Sequence, residues 1–150
     1  MARLRPAQHP LVGDRPEAEI AVRLRRQRRL AEVPPLALHE IIDESALLRS
    51  HCGSEELEHI LTVGRLANVA VQVIPREVGS HSGLAGNFTV VSFPDPAEPD
   101  MAYVEYSFGS LQIEKDQEVR AARLMFEHLA DLALDQEDSA ALIKEMIARQ

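Results

Sequence analysis

The chain has 150 residues, 45% of them apolar. That is one domain's worth of sequence, with apolar content for a core that needs no disulfide or metal. The formal charge of −8 is unevenly spread: residues 1–30 hold eight arginines against Asp14, Glu17 and Glu19, leaving +5, and residues 31–150 hold eight basic and 21 acidic groups, leaving −13, which excludes a body that coats nucleic acid electrostatically.

Residues 1–16 read as a poorly ordered lead or linker remnant, with two prolines, a glycine and little periodicity up to residue 13. Residues 17–150 read as a single domain that senses an effector or partner. Asp14 and Pro16, followed by Glu17 and Glu19, signal the start of a helix over 17–32. Pro34 and Pro35 end it. Residues 36–43 predict a strand with Leu36, Leu38 and Ile42 on one side. A short helix follows at 45–50, then a clear one at 54–66, with Ser54 placed to cap it and Leu57, Ile60 and Leu61 as its core stripe. Val69–Ile74, stopped by Pro75, is the strongest strand pattern in the chain. Strand, helix and strand at this spacing predict a parallel crossover.

The segment 76–86 is a loop with Gly79, Gly83 and Gly86. Strands are expected at 87–93, 101–106 and 111–113, with a stiff proline-rich connector at 94–100 and a hairpin turn at Phe108, Gly109 and Ser110. Two helices close the sequence, at 116–133 and 137–149. The expected fold is α+β: a mixed five-stranded sheet with one strand–helix–strand crossover, an antiparallel meander and two C-terminal helices.

Chemistry has few places to reside. Cys52 is the single cysteine, so an internal disulfide framework and four-cysteine zinc sites are excluded. No apolar run approaches 18 residues and no signal-peptide core follows the basic start, so a cytoplasmic protein without a membrane segment is expected. Arg23, Arg25, Arg26, Arg28 and Arg29 are candidates for phosphate or partner contacts, although they point around most of the helix. His39, Glu40, Asp43 and Glu44 form an acidic cluster to which His51, His59 or His81 would have to add a metal ligand. A carboxylate at the end of the first strand fits the rule that ligands gather beyond the carboxyl ends of parallel strands. His81, flanked by serines in the glycine-rich loop, suits a general base or a ligand contact. The loop lacks the Gly-Lys-Ser/Thr ending of a phosphate-binding loop and leads into a strand. Glu105 sits mid-strand, where burial would demand a partner. Nothing in the spacing forces Asp43, Glu44, His81 and Glu105 together. Glu44, Arg49, His81 and Glu105 stand as candidates for a ligand pocket or polar core. No catalytic set, metal or cofactor is expected.

Several segments together resemble a known family. They are Arg23–Leu30, Ile42–Arg49, Val71–Pro75, Gly79–Phe88, Tyr103–Glu105 and Glu137–Ser139. Over residues 17–147 their order and spacing are similar to the uncharacterised domain that follows a helix-turn-helix in actinobacterial regulators of the xenobiotic-response-element type, often described as antitoxin-like. The resemblance implies a non-enzymatic regulatory domain in a cytoplasmic homodimer. It would sense a small partner protein or small-molecule ligand and reach DNA only through the helix-turn-helix. That element and the Pro-Gly-Leu-Leu-Gln linker of the family do not occur in these 150 residues, so a fragment or a stand-alone version is expected. Glu56 stands where the family has Gln. A fainter likeness is to half of a phospholipase D-like sheet, whose motif needs a lysine where Gly83 stands. The alternatives are a hydrolase built from Glu44, His81 and Glu105, and a nucleic-acid binder acting through helix 17–32.

Overall fold

The computed structural model describes residues 16–49 and 53–149. The expectations that rest on residues 1–15, Asp14 as a helix start among them, and on His51 and Cys52 lie outside the described residues. Two compact units divide the chain, the first ending at Leu36 and the second running from Ala37 to Gln150.

In the first unit, α1 spans Pro16–Arg28. It ends four residues before the predicted limit. Arg29, Leu30 and Ala31 instead donate to the carbonyls three positions back, a tighter turn that winds the helix down ahead of the prolines. The Val33–Pro34 peptide is cis.

The second unit opens with β1 (Leu38–Asp43), α2 (Glu44–Arg49), α3 (Ser54–Val63) and β2 (Val69–Ile74). β1 and β2 are parallel, in register from Leu38 opposite Val69 to Asp43 opposite Ile74. The predicted crossover is therefore present, carried by two short helices. α3 starts at Ser54 itself, so the capping position falls to Gly53 and no side chain caps the helix. The expected Ser54 cap is thus corrected, because a residue already inside the helix cannot supply it. Glu55 and Glu56 still meet the positive end of the helix dipole.

The single five-stranded sheet is also corrected. β3 (Thr89–Val91), β4 (Met101–Tyr106) and β5 (Gly109–Ile113) form a separate antiparallel sheet in the order β3-β4-β5, so the predicted meander stands alone. Part of the reason lies at the outer edge of β2. There the Val73 carbonyl accepts from the Leu134 N–H at 2.9 Å, and the Val73 N–H donates to Ser139 Oγ at 2.9 Å. Those two backbone groups, which a third strand would need, are already taken. The hairpin is tighter than predicted: Tyr106 pairs with Gly109, and β5 begins two residues earlier.

α4 (Asp116–Leu132) packs on β3 and β4 and reaches β2, and α5 (Gln136–Ala148) packs on β2 and α3. Asp135 caps α5 by accepting the Asp138 N–H at 2.8 Å. Leu47, Leu57, Val73, Ile143 and Met146 form one buried cluster, with Ile42, Ile60 and Leu61 against it. The α3 stripe read from the sequence is thus the stripe that faces the core. Among the described residues, no helix is long and apolar enough to cross a membrane.

Candidate functional site

The parallel pair ends its two strands side by side at Asp43 and Ile74. The chain leaves β2 through Pro75 into two 3-10 turns, Arg76–Val78 and Ser82–Ala85. Gly79 (φ 75°) and Gly86 (φ 153°) flank the second turn in backbone conformations that L side chains rarely adopt. This path folds His81 back onto the end of β1. His81 Nε2–H donates to Asp43 Oδ2 at 3.0 Å, with the His81 side chain 3% and that of Asp43 20% exposed.

Asp43 has a second task. Its Oδ1 accepts the Ser45 N–H at 2.8 Å and so caps the start of α2. Burial pushes the Asp43 carboxyl up, but the hydrogen bonds from His81 and Ser45 outweigh it and hold the group below the usual carboxylate range. Because an ionised Asp43 can only accept, the proton of this bond sits on His81 Nε2. Nδ1 is buried and has no hydrogen-bond partner. It lies under Gly83, where a Cβ would come within 3.1 Å of Nδ1 and within 3.4 Å of Leu129 Cδ1.

Glu44 is the first residue of α2 and is 8% exposed. Its Oε2 accepts the Arg76 N–H at 2.9 Å, which ties the first 3-10 turn to the same strand end. Asp43 and Glu44 therefore clasp the loop at two points, His81 and Arg76. Glu44 and His81, both pocket candidates from the sequence, thus sit at this strand end. The partner of His81 is Asp43, a candidate metal ligand and one of the four residues whose spacing does not force them together. The signal available was its place as the last residue of a strand in a parallel pair.

The other candidates lie apart from this clasp. Glu105 is exposed on β4 in the second sheet, and its Oε1 accepts from the Tyr103 hydroxyl at 3.4 Å. Among the described residues no hydrogen bond joins it to Glu44 or His81. The side chains of Arg23 and Arg49 lie outside the described residues. Arg25, Arg26 and Arg28 are exposed in the last turn of α1, where positive charge suits the helix dipole. Arg29 follows the helix and pairs with Glu32 at 2.6 Å.

Among the described residues, the acidic cluster does not assemble as a metal site. His39 is turned to Gln72, with Nε2 2.6 Å from Oε1, and stands edge-on to Phe126 at 4.9 Å between ring centroids. Gln72 in turn donates to the Leu134 carbonyl at 2.8 Å. Desolvation raises Glu40 above the usual carboxylate range, and His39 beside it only partly offsets this. Among the described residues, no three His, Cys, Asp or Glu side chains gather as metal ligands.

Comparison with known proteins places the chain in a family. Residues 1–145 match the model described as a domain of unknown function (DUF5753), and the chain belongs to that family. No curated protein and no solved structure matches it.

Proposed function

We propose that this chain is a non-enzymatic regulatory module that senses a small ligand or partner protein, as a homodimer, in a cytoplasmic regulator of the antitoxin-like, helix-turn-helix type. The resemblance of Ile42–Arg49, Gly79–Phe88 and Glu137–Ser139 to the domain of such regulators supports the setting. One structural observation carries the non-enzymatic part. The Asp43–His81 pair has the components of a catalytic acid–histidine couple, but Asp43 holds Nε2, and the nitrogen left to act as base, Nδ1, is buried and without a partner. A general base must come within hydrogen-bond reach of the proton it takes, directly or through one water. Nδ1 sits under Gly83 instead, and Nε2 is occupied by Asp43. On this reading the pair fastens a glycine-flanked loop to the end of β1 and leaves chemistry to no residue of the clasp.

The test is turnover. The purified chain, offered chromogenic phosphodiesters, carboxylic esters and glycosides, is expected to release no product above the uncatalysed rate. Product release that disappears in His81→Ala would overturn the reading and install the hydrolase in its place.

A further inference from the structure

The second unit is strongly acidic, and its cations are nearly all spoken for. Arg76 pairs with Glu77, Lys115 with Glu118, Arg120 with Asp116, Arg123 with Asp100 and Arg149 with Glu145. Among the described side chains of this unit, Arg65 and Lys144 are the two cations with no carboxylate within 4.0 Å. They come from different elements, the turn after α3 and the body of α5. Both line the same pocket, between α3, β2 and α5.

That pocket has a volume of about 180 Å³ and no acidic residue in its wall. Its base is apolar: Ile143 is 1% exposed, and Leu61, Val71 and Ala140 are half-buried beside it. Arg65 and Lys144 are exposed and so stand at its mouth. Gly64 lines the wall as bare backbone, packed so that a Cβ there would come within 3.2 Å of the Ile60 carbonyl oxygen and 3.4 Å of Val71 Cγ2. Apolar cavities of about 150 Å³ accept a benzene-sized body. Two unpaired cations at the mouth of such a space, in a unit otherwise crowded with carboxylates, select a negative head and hold off neutral bodies of the same shape.

We infer that the pocket between α3, β2 and α5 binds a small organic carboxylate, with one ring or branched chain against Leu61, Val71 and Ile143 and its carboxylate between Arg65 and Lys144. The inference deepens the sensing reading above by naming a ligand class and its place.

Benzoate is the probe, with benzamide as its neutral counterpart and inorganic phosphate as the anion without an apolar body. Each is titrated into the full chain while backbone amide signals are followed by NMR. Benzoate is expected to give saturable shifts at Val71, Ala140 and Ile143, with benzamide and phosphate binding at least tenfold more weakly. Arg65→Glu and Lys144→Glu change exposed side chains and leave the core intact. Each is expected to weaken benzoate roughly 10-fold or more, the loss that goes with a charged hydrogen bond. Arg120→Glu, with the same charge change elsewhere, is expected to leave it within a factor of about two, the span of ordinary surface effects. Equal binding of benzamide, equal binding of phosphate, or no saturable shift by roughly 10 mM, a very weak affinity on the scale where 1 mM is about −4 kcal/mol, overturns the inference. Those outcomes leave the absence of turnover untouched, whereas turnover lost in His81→Ala removes the sensing reading and not the pocket.

Discussion

Ser139→Ala isolates one hydrogen bond that sets the architecture. Ser139 is 1% exposed, and its Oγ accepts the N–H of Val73, a residue 66 positions away that is fully buried at the middle of the core. The same hydroxyl donates to the Leu134 carbonyl at 3.3 Å. That carbonyl keeps Gln72 Nε2 as a donor in the variant, so it loses little. The Val73 N–H keeps nothing. A buried donor stripped of its acceptor costs about 1–3 kcal/mol. The fully buried surroundings of Val73 argue for the upper half of that range, because water cannot replace the lost oxygen. With a urea dependence of about 2 kcal/mol per molar for a chain of this size, the unfolding midpoint should fall by roughly 1 M. Urea titration followed by circular dichroism reads that shift directly. A midpoint unchanged within error would mean that Ser139 does not hold the edge of β2, and the explanation given for the two separate sheets would fail with it.

Leu57→Ala should cost about 2–5 kcal/mol, because Leu57 is fully buried in the core cluster and its truncation leaves a cavity; chemical denaturation measures it. Gly83→Ala should cost about 1–3 kcal/mol, since the new methyl meets His81 Nδ1 at 3.1 Å and the ring is pinned by Asp43; a thermal midpoint equal to that of the native chain would contradict this packing. Asp43 is held below its ordinary range in the folded state, so its ionised form adds stability that is complete above the unfolded value of about 4 and is lost as pH falls through the folded one. Denaturation at a series of pH values should therefore show native chain and Asp43→Asn far apart near neutrality and converging in acid. A gap that widens below pH ~4 would reverse the sign of the argument.

How much of this was legible from residues alone depended on the range of the interaction. Local signals worked. Val69–Ile74 with its closing Pro75 was read to the residue, and the Leu57, Ile60 and Leu61 stripe faces the core as its spacing predicts. The parallel pairing followed from strand–helix–strand spacing. Long-range competition for a strand edge was not legible. Nothing around Ser139 or Leu134 marks them as partners of Val73, and β3 is three residues long, too short to announce which sheet it joins. The clasp was half legible. His81 and Glu44 stood out as polar residues at a strand end and in a glycine-rich loop. Their separate partners, Asp43 and the Arg76 amide, are set by the path of the loop after β2, which no periodicity encodes. Glu105 was singled out as a carboxylate that burial would force to find a partner, and on its exposed strand position that demand does not arise.

The reactivity of His81 toward diethyl pyrocarbonate, read residue by residue with peptide mass spectrometry, asks whether its ring is a base offered to substrates or a fastener. His59 and His128 are exposed in the same chain and serve as internal standards. With one nitrogen held by Asp43 and the other buried under Gly83, His81 should be modified at least tenfold more slowly than either, because the reagent needs an unprotonated nitrogen it can reach. Modification of His81 at the rate of His59 would mean that the nitrogen is available, and the non-enzymatic reading of the Asp43–His81 pair would be wrong.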